Sequence, residues 1–166
     1  MRTSLFHRLG LAVAVLALSM AGCGSSSNAN ADAFVGTWAF QSGSIMPMCP
    51  VAVADLDLTA DVVTIAKVDS SHVLLSIAAT GVTCDVRFAV DGTTATAESN
   101  QTCSIVASGQ SAVVNVTSWT LVQSGMSINM SMKGTSSVSA SGFTLTCTPT
   151  STGIMVRGSS DAAQGG

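Results

Sequence analysis

Apolar side chains recur at every second position over several long stretches of this chain. In the clearest stretch, residues 82–90, polar or small residues separate Val82, Cys84, Val86, Phe88 and Val90. The same spacing returns in residues 73–79, 126–132 and 143–147. Because successive side chains of a β-strand point to opposite faces, this period of two predicts strands with one buried and one exposed face.

Residue pairs that are typical of turns separate these stretches. Asp91-Gly92 is the strongest, because both central residues of a type I′ hairpin turn need positive φ angles. The others are Thr80-Gly81, Ser108-Gly109, Ser124-Gly125, Lys133-Gly134, Ser141-Gly142 and Thr152-Gly153. Strands of about seven residues joined by such turns predict an all-β fold, an antiparallel meander of about 8 to 11 strands.

The composition agrees, since Val, Thr and Ser are abundant and favour pleated strands over helices. A flat sheet of this size would leave two edges and one apolar face in water. We therefore expect it to curl into a barrel, with a β-sandwich as the alternative.

The N-terminus carries a sorting signal. Arg2 and Arg8 supply positive charge, and residues 9–21 form an apolar stretch too short to span a bilayer as a stable helix. The sequence Leu18-Ser19-Met20-Ala21-Gly22-Cys23 resembles the lipobox of bacterial lipoproteins. This resemblance implies that residues 1–22 are a signal peptide removed before Cys23, and that acyl chains on Cys23 anchor the protein in a membrane. The alternative is an ordinary secretory signal peptide with a cysteine at its end.

The residue after Cys23 bears on the destination. In enterobacteria an aspartate there resembles a signal for inner-membrane retention, whereas this chain has Gly24. We therefore expect lipid anchoring in the bacterial cell envelope, at the outer membrane. Residues 23–32 are small and polar, which predicts a lipidated N-terminus with a flexible tether that reaches about 15 Å. A single domain is expected over residues 33–158, with a disordered tail at 159–166.

The charge balance excludes one class of partner. Removal of residues 1–22 would leave four basic and nine acidic residues, a net charge of −5. Such a chain offers no basic patch for nucleic acid.

The first predicted strand begins with Phe34-Val35-Gly36-Thr37-Trp38. This sequence resembles the Phe-x-Gly-x-Trp opening of lipocalins and their barrel relatives, and the resemblance implies a lipocalin-like barrel. In that superfamily the tryptophan closes the narrow end of the barrel, and an arginine from the last strand lies across its ring in a cation–π contact. Gly36, Trp38 and Arg157 would play these parts here. Alternatively, Trp38 is simply a core aromatic residue.

Three other resemblances add little about activity. Gly36-Thr37-Trp38 followed by Gly43-Ser44 is similar to the first strand of avidins, but Phe40 stands where their biotin-binding asparagine would be. The Gly-x-Trp strand is also similar to secreted metalloprotease-inhibitor barrels, whose N-terminal mode of inhibition a lipid on Cys23 would obstruct. Cys49-Pro50 and Gln101-Thr102-Cys103 resemble uncharacterised lipoproteins of myxobacterial type, which have no known activity.

Four cysteines follow Cys23, an even number that predicts two disulfides in an oxidising compartment. Three connectivities are possible. We prefer Cys84 with Cys103, because these residues flank the Asp91-Gly92 hairpin and the next turn, which leaves Cys49 with Cys147. A zinc site is not expected, since the chain has no Cys-x-x-Cys pair.

His72 is the single histidine after residue 22 and the obvious candidate for a catalytic base. An exposed histidine at the start of a strand is the interpretation we favour. Because no nucleophile-elbow sequence accompanies it, we expect neither an enzyme nor a cofactor.

Two groups of residues could bind metal ions. Asp55, Asp57 and Asp61 offer oxygens that suit Ca²⁺, and Met46 and Met48 offer sulfur that suits Cu(I). Solvent-facing acids and an oxidised Cys49 explain the same residues, so no metal site is expected.

Met126, Met130 and Met132 recur at core spacing, and such flexible side chains either fill a core or line a cavity. We therefore expect a non-catalytic binding module that holds a small apolar ligand in its barrel. The alternative is a barrel with a packed interior that acts as an envelope or surface interaction protein, or as a protease-inhibitor-like barrel.

Overall fold

A computed structural model describes residues 30–50, 52–79, 81–107, 110–140 and 143–158. The elements are α1 (Ala31–Phe34), β1 (Gly36–Met48), β2 (Leu56–Asp57), β3 (Val62–Lys67), β4 (His72–Ala79), β5 (Val82–Asp91), β6 (Thr94–Ala97), β7 (Thr102–Ala107), β8 (Gln110–Ser124), β9 (Ser127–Ala140) and β10 (Phe143–Arg157). Within these ranges no helix has the length and apolar character of a membrane span. The signal peptide, Cys23, residues 24–29 of the tether and the tail at 159–166 lie outside the described residues.

The strands form one closed antiparallel barrel. Most strands pair with the next strand along the chain, and the barrel closes where β1 pairs with β10, from Trp38↔Arg157 to Met48↔Thr148. The barrel has eight strand positions, because β2 and β3 share one and β6 and β7 share another. The predicted all-β meander and lipocalin-like barrel are thus confirmed, and the sandwich alternative is excluded.

A break between β6 and β7 places a short irregular segment beside Arg87. Both strands pair with β5, β6 with its end and β7 with its beginning. Residues 98–101 separate them, and Asn100 adopts a left-handed φ of 62° there. The Glu98 amide still donates to the Arg87 carbonyl, 3.0 Å away. Residues 98–101 therefore leave the sheet at the point where they pass Arg87.

The predicted alternation places the core inside the barrel. The alternating apolar residues of β5 are all buried, as are Val73, Leu75 and Ile77 of β4. On β9, Ile128, Met130 and Met132 face inwards. Met126 was expected to continue that row, but it lies in the turn before β9 and its side chain is 73% exposed.

Two predicted turns are wrong, because β9 continues through Lys133-Gly134 and β10 through Thr152-Gly153. Both glycines serve close approach of the backbone within the sheet rather than chain reversal. A Cβ on Gly134 would lie 2.5 Å from Val114 Cγ1. Gly153 stands opposite Gly43, and the Phe40 ring occupies the space beside both.

The Asp91-Gly92 hairpin is displaced by one residue from its predicted centre. Asp91 pairs with Thr94, so the central residues are Gly92 and Thr93. Gly92 has a φ of 57°, whereas Thr93 is not among the described residues with positive φ. Positive φ at the first central position alone is the pattern of a type II′ turn, not of type I′.

The cysteines form the two pairs that were preferred from the sequence, Cys84–Cys103 and Cys49–Cys147. Cys84 and Cys103 stand opposite each other on β5 and β7. Cys49 follows β1, and its bond to Cys147 ties the end of that strand to β10. Both disulfides therefore brace the half of the barrel away from α1.

The folded domain begins before the expected boundary at residue 33. Ala31 and Phe34 lie one helical turn apart in α1, and both are buried. Asp32 Oδ1 lies 2.8 Å from Lys67 Nζ of β3, an exposed ion pair. Residues 31–32 thus belong to the barrel domain rather than to the tether.

Replacing Gly134 by alanine is expected to lower the free energy of unfolding by about 1 to 3 kcal/mol, because the added Cβ overlaps Val114 Cγ1 and the Asn115 carbonyl. Urea denaturation of the variant measures the effect. Gly158→Ala is the matched control, since the nearest atom to its Cβ would be 3.5 Å away, and it should change stability by no more than about 0.5 kcal/mol. Equal effects at the two positions would contradict the close approach.

Candidate functional site

The end of the barrel near α1 is closed by the residues that the lipocalin resemblance singled out. Trp38 is fully buried, and its Nε1 donates to the Phe34 carbonyl at 2.7 Å. The Arg157 guanidinium lies 4.7 Å from the centroid of the Trp38 ring. Arg157 also donates to the Val35 and Ala33 carbonyls at 3.1 and 3.0 Å, so one side chain ties α1 to the last strand.

Gly36 makes this closure possible. Its φ of 142° is a conformation that favours glycine, and a Cβ there would come 3.2 Å from Arg157 Nη1. A side chain at this position would strain the backbone and crowd the Arg157 guanidinium. Trp38, Arg157 and the carbonyls of residues 33–35 contact one another, which assigns the closed end a structural role.

A second polar site, the His72 cluster, lies on the outside of β4 and β5. It consists of Asp69, His72, Arg87 and Glu98. His72 Nδ1 is 2.8 Å from Asp69 Oδ1, and its Nε2 is 3.5 Å from Glu98 Oε1. Arg87 contacts the same two carboxylates, Glu98 at 3.2 Å and Asp69 at 3.5 Å. The sequence prediction of an exposed strand-end histidine missed this arrangement.

The His72 cluster is not arranged for nucleophilic catalysis. In a Ser-His-Asp triad the serine and the aspartate contact opposite nitrogens of the ring. Here Ser71 Oγ lies 3.1 Å from Nδ1, the nitrogen that Asp69 already holds. The other nitrogen faces Glu98, so the geometry favours a surface ion-pair network.

The Ser71 amide, which donates to Asp69 Oδ1, and His72 together lower the pKa of Asp69 from 3.8 to about 2. Ionised Asp69 therefore stabilises the fold above pH 3.8, and this contribution should be lost as the pH falls from 3.8 through about 2. The stability difference between the protein and its Asp69→Asn variant should shrink over that window, as measured by urea denaturation. In Ser71→Ala, which keeps the backbone amide, the pKa of Asp69 should stay well below 3.8. In His72→Ala the pKa of Asp69 should rise. A carboxyl NMR titration midpoint near 3.8 would contradict the arrangement.

The residues weighed as metal ligands are not brought together. Asp57 Oδ1 accepts from the Thr59 amide at 2.9 Å, and hydrogen bonding to Thr59 lowers its pKa. Met46 and Met48 are exposed on the outside of β1, whereas Cys49 is disulfide-bonded. In the described parts of the chain, no three His, Cys, Asp or Glu residues are placed to hold a metal ion.

A depression of about 500 Å³ lies over β1, β9 and β10. Exposed polar side chains, Ser42, Asn129 and Thr152, line it together with Ile154. The strand glycines Gly43 and Gly153 form its floor. These exposed residues point away from the core, so the depression belongs to the outer surface of the barrel.

The two halves of the barrel interior are lined by side chains of different size. Among the side chains that the structure describes, the buried aromatic ones all lie in the half towards α1: Phe34, Trp38, Phe40, Phe88 and Trp119. The half braced by the disulfides is lined by smaller residues: Ile45, Ile77, Val82, Val114, Ser136 and Ser151. Met130 and Met132 lie between the two sets on β9.

Two polar atoms in this interior have no hydrogen-bond partner among the described residues. They are Nε1 of Trp119, which is 2% exposed, and Oγ of Ser151, which is 1% exposed. Neither residue was a candidate at the sequence level. The bulge in β8 between Val116 and Ser118 brings Trp119 inside, whereas Ser151 continues the inner row of Cys147 on β10.

Comparison with protein-family models, with curated proteins and with solved structures finds no match to this chain.

Proposed function

We propose that the mature protein is a lipid-anchored protein of the bacterial cell envelope whose barrel binds a small apolar molecule without catalysing a reaction. The observation that carries the binding part is the uneven interior. Trp38 and α1 close one end, and the half beyond the methionines is lined by small and aliphatic side chains. An eight-stranded barrel either fills its interior with side chains or holds one small ligand there.

The anchoring part is supported by the N-terminal sequence and by the cysteines. Arg2, Arg8 and the apolar residues 9–21 precede Cys23 in the order of a lipoprotein signal peptide. Two disulfides favour a compartment outside the reducing cytoplasm. Gly24, in place of an aspartate, supports the outer membrane as the destination.

Anchoring is tested by expressing the full chain in a bacterium and partitioning the cell extract with a detergent that separates into two phases. The protein should enter the detergent phase and incorporate labelled palmitate, whereas Cys23→Ser should do neither. Met126→Ala is the control, since it leaves the lipobox intact and replaces an exposed side chain. Failure of the unaltered chain to incorporate label would overturn the proposal of a lipid anchor.

Binding is tested with the full mature chain, residues 23–166 carrying Cys23→Ser, exported behind an ordinary secretory leader. N-phenyl-1-naphthylamine, a neutral apolar dye, should bind saturably with one molecule per barrel and a rise in fluorescence. No saturable binding would overturn the proposal of an interior ligand.

A second candidate function rests on the outer surface. From residue 99 to residue 156 the chain has a single charged residue, Lys133, so the outside of β8, β9 and β10 is nearly uncharged. An interaction surface there, including the depression beside Ser42 and Asn129, would suit a barrel with a packed interior. Absence of dye binding, together with retention of a specific envelope protein by this face, would favour it.

A further inference from the structure

Trp119 and Ser151 belong to one row across the barrel wall. Trp119 pairs with Met132 of β9, and Met132 pairs with Ser151 of β10. All three side chains are buried, Met132 at 4% exposure. Since neighbouring strands lie about 4.8 Å apart, the Cα atoms of Trp119 and Ser151 are separated by roughly 10 Å. A polar group of a few atoms placed beside Met132 would lie within reach of both.

The two polar atoms restrict what that group can be. Buried donors and acceptors in proteins are almost always hydrogen-bonded, and these two are without a partner among the described residues. An indole N–H only donates, whereas a hydroxyl donates or accepts. A partner shared by Trp119 and Ser151 must therefore be a hydrogen-bond acceptor.

The same row disfavours a charged acceptor. None of the described residues buried inside the barrel is a cation, and Arg157 is exposed at the closed end, where it is engaged with Trp38 and two carbonyls. Arg157 is also six residues along β10 from Ser151, about 20 Å at the rise of an extended strand. A carboxylate beside Ser151 would be buried without a counter-ion, which is strongly unfavourable.

From these contacts we infer that the ligand is a neutral amphiphile: an apolar chain with an uncharged acceptor, such as a ketone or an ester, held by Trp119 Nε1 and Ser151 Oγ. This inference rests on the proposed binding function. Met132 stands between Trp119 and Ser151 in this row, and its flexible thioether would give room for the acceptor by changing its rotamer. The apolar chain extends into the half lined by aliphatic side chains.

The test uses the mature Cys23→Ser chain and measures displacement of N-phenyl-1-naphthylamine by 2-decanone and by the decanoate ion at pH 8. The dye has no carbonyl oxygen to accept from Trp119 Nε1 and Ser151 Oγ, so its own binding reports the apolar interior without that acceptor. We expect 2-decanone to bind at least about tenfold more tightly than decanoate. Ser151→Ala and Trp119→Phe should each weaken 2-decanone about 3- to 10-fold, as loss of one hydrogen bond does, and leave dye binding unchanged.

Thr152→Ala is the matched control, because Thr152 is the next residue on β10 and is exposed. It should change neither affinity. Ser151→Ala should also fold at least as stably as the unaltered chain, because it removes an unpartnered buried hydroxyl. If decanoate binds as tightly as 2-decanone, or if neither variant weakens 2-decanone, the inference is overturned while the proposed function stands. If the dye itself does not bind, the proposed function fails.

Discussion

Replacing Trp38 by alanine should lower the free energy of unfolding by about 3 to 5 kcal/mol. The side chain is fully buried at the closed end of the barrel, and its removal leaves a large cavity beneath α1. The variant also loses the hydrogen bond to the Phe34 carbonyl and the ring against which Arg157 packs. Urea denaturation followed by circular dichroism measures the difference.

Two further variants separate the contributions of Trp38. Trp38→Phe keeps an aromatic ring but loses the Nε1 donor, so it should cost less than the alanine variant. Met126→Ala removes a large side chain that is 73% exposed, and it should change stability by no more than about 0.5 kcal/mol. A loss below about 1 kcal/mol for Trp38→Ala would contradict the role of this tryptophan in closing the barrel.

Removal of the Cys49–Cys147 disulfide should destabilise the fold more than removal of Cys84–Cys103. The first closes a loop between residues 98 positions apart, the second a loop between residues 19 apart. In the chain-entropy model these loops correspond to about 4.7 and about 3.2 kcal/mol. Unfolding of the two double alanine variants under oxidising conditions measures both values.

Each double variant serves as the control for the other, because each replaces one pair of cysteines by alanine. Reduction of the unaltered protein should cost at least as much as the larger of the two. An equal or reversed order would show that native-state packing around the sulfurs, rather than loop length, sets their contribution.

The strands of the core could be predicted because a period of two is a local property of the sequence. The rows on β4 and β5 needed only the identities of neighbouring residues. Glycines misled the prediction at Gly134 and Gly153, since a glycine that admits a close backbone neighbour has the same local sequence as one in a turn. The continuous strands β9 and β10 therefore could not be predicted.

The polar sites depend on register, which the local sequence does not specify. Asp69 lies three residues before His72, but Glu98 comes from another segment and reaches His72 because the chain is interrupted after β6. Trp119 joins the row of Met132 and Ser151 because a bulge near Val116 shifts the pairing of β8 with β9. In contrast, the contact between Trp38 and Arg157 was expected, because a resemblance to a known barrel family supplied a long-range pairing.

The pairing of β1 with β10 has a consequence for the order of folding. Hairpins such as β4 and β5 form between neighbouring segments, so they can assemble before the rest of the chain has folded. The closed end cannot, since Arg157 reaches the Val35 carbonyl across 122 positions of sequence. Until β10 docks, β1 remains an open edge and Trp38 stays without its cationic partner. We therefore expect the docking of β10, rather than the formation of any hairpin, to be the cooperative step of folding.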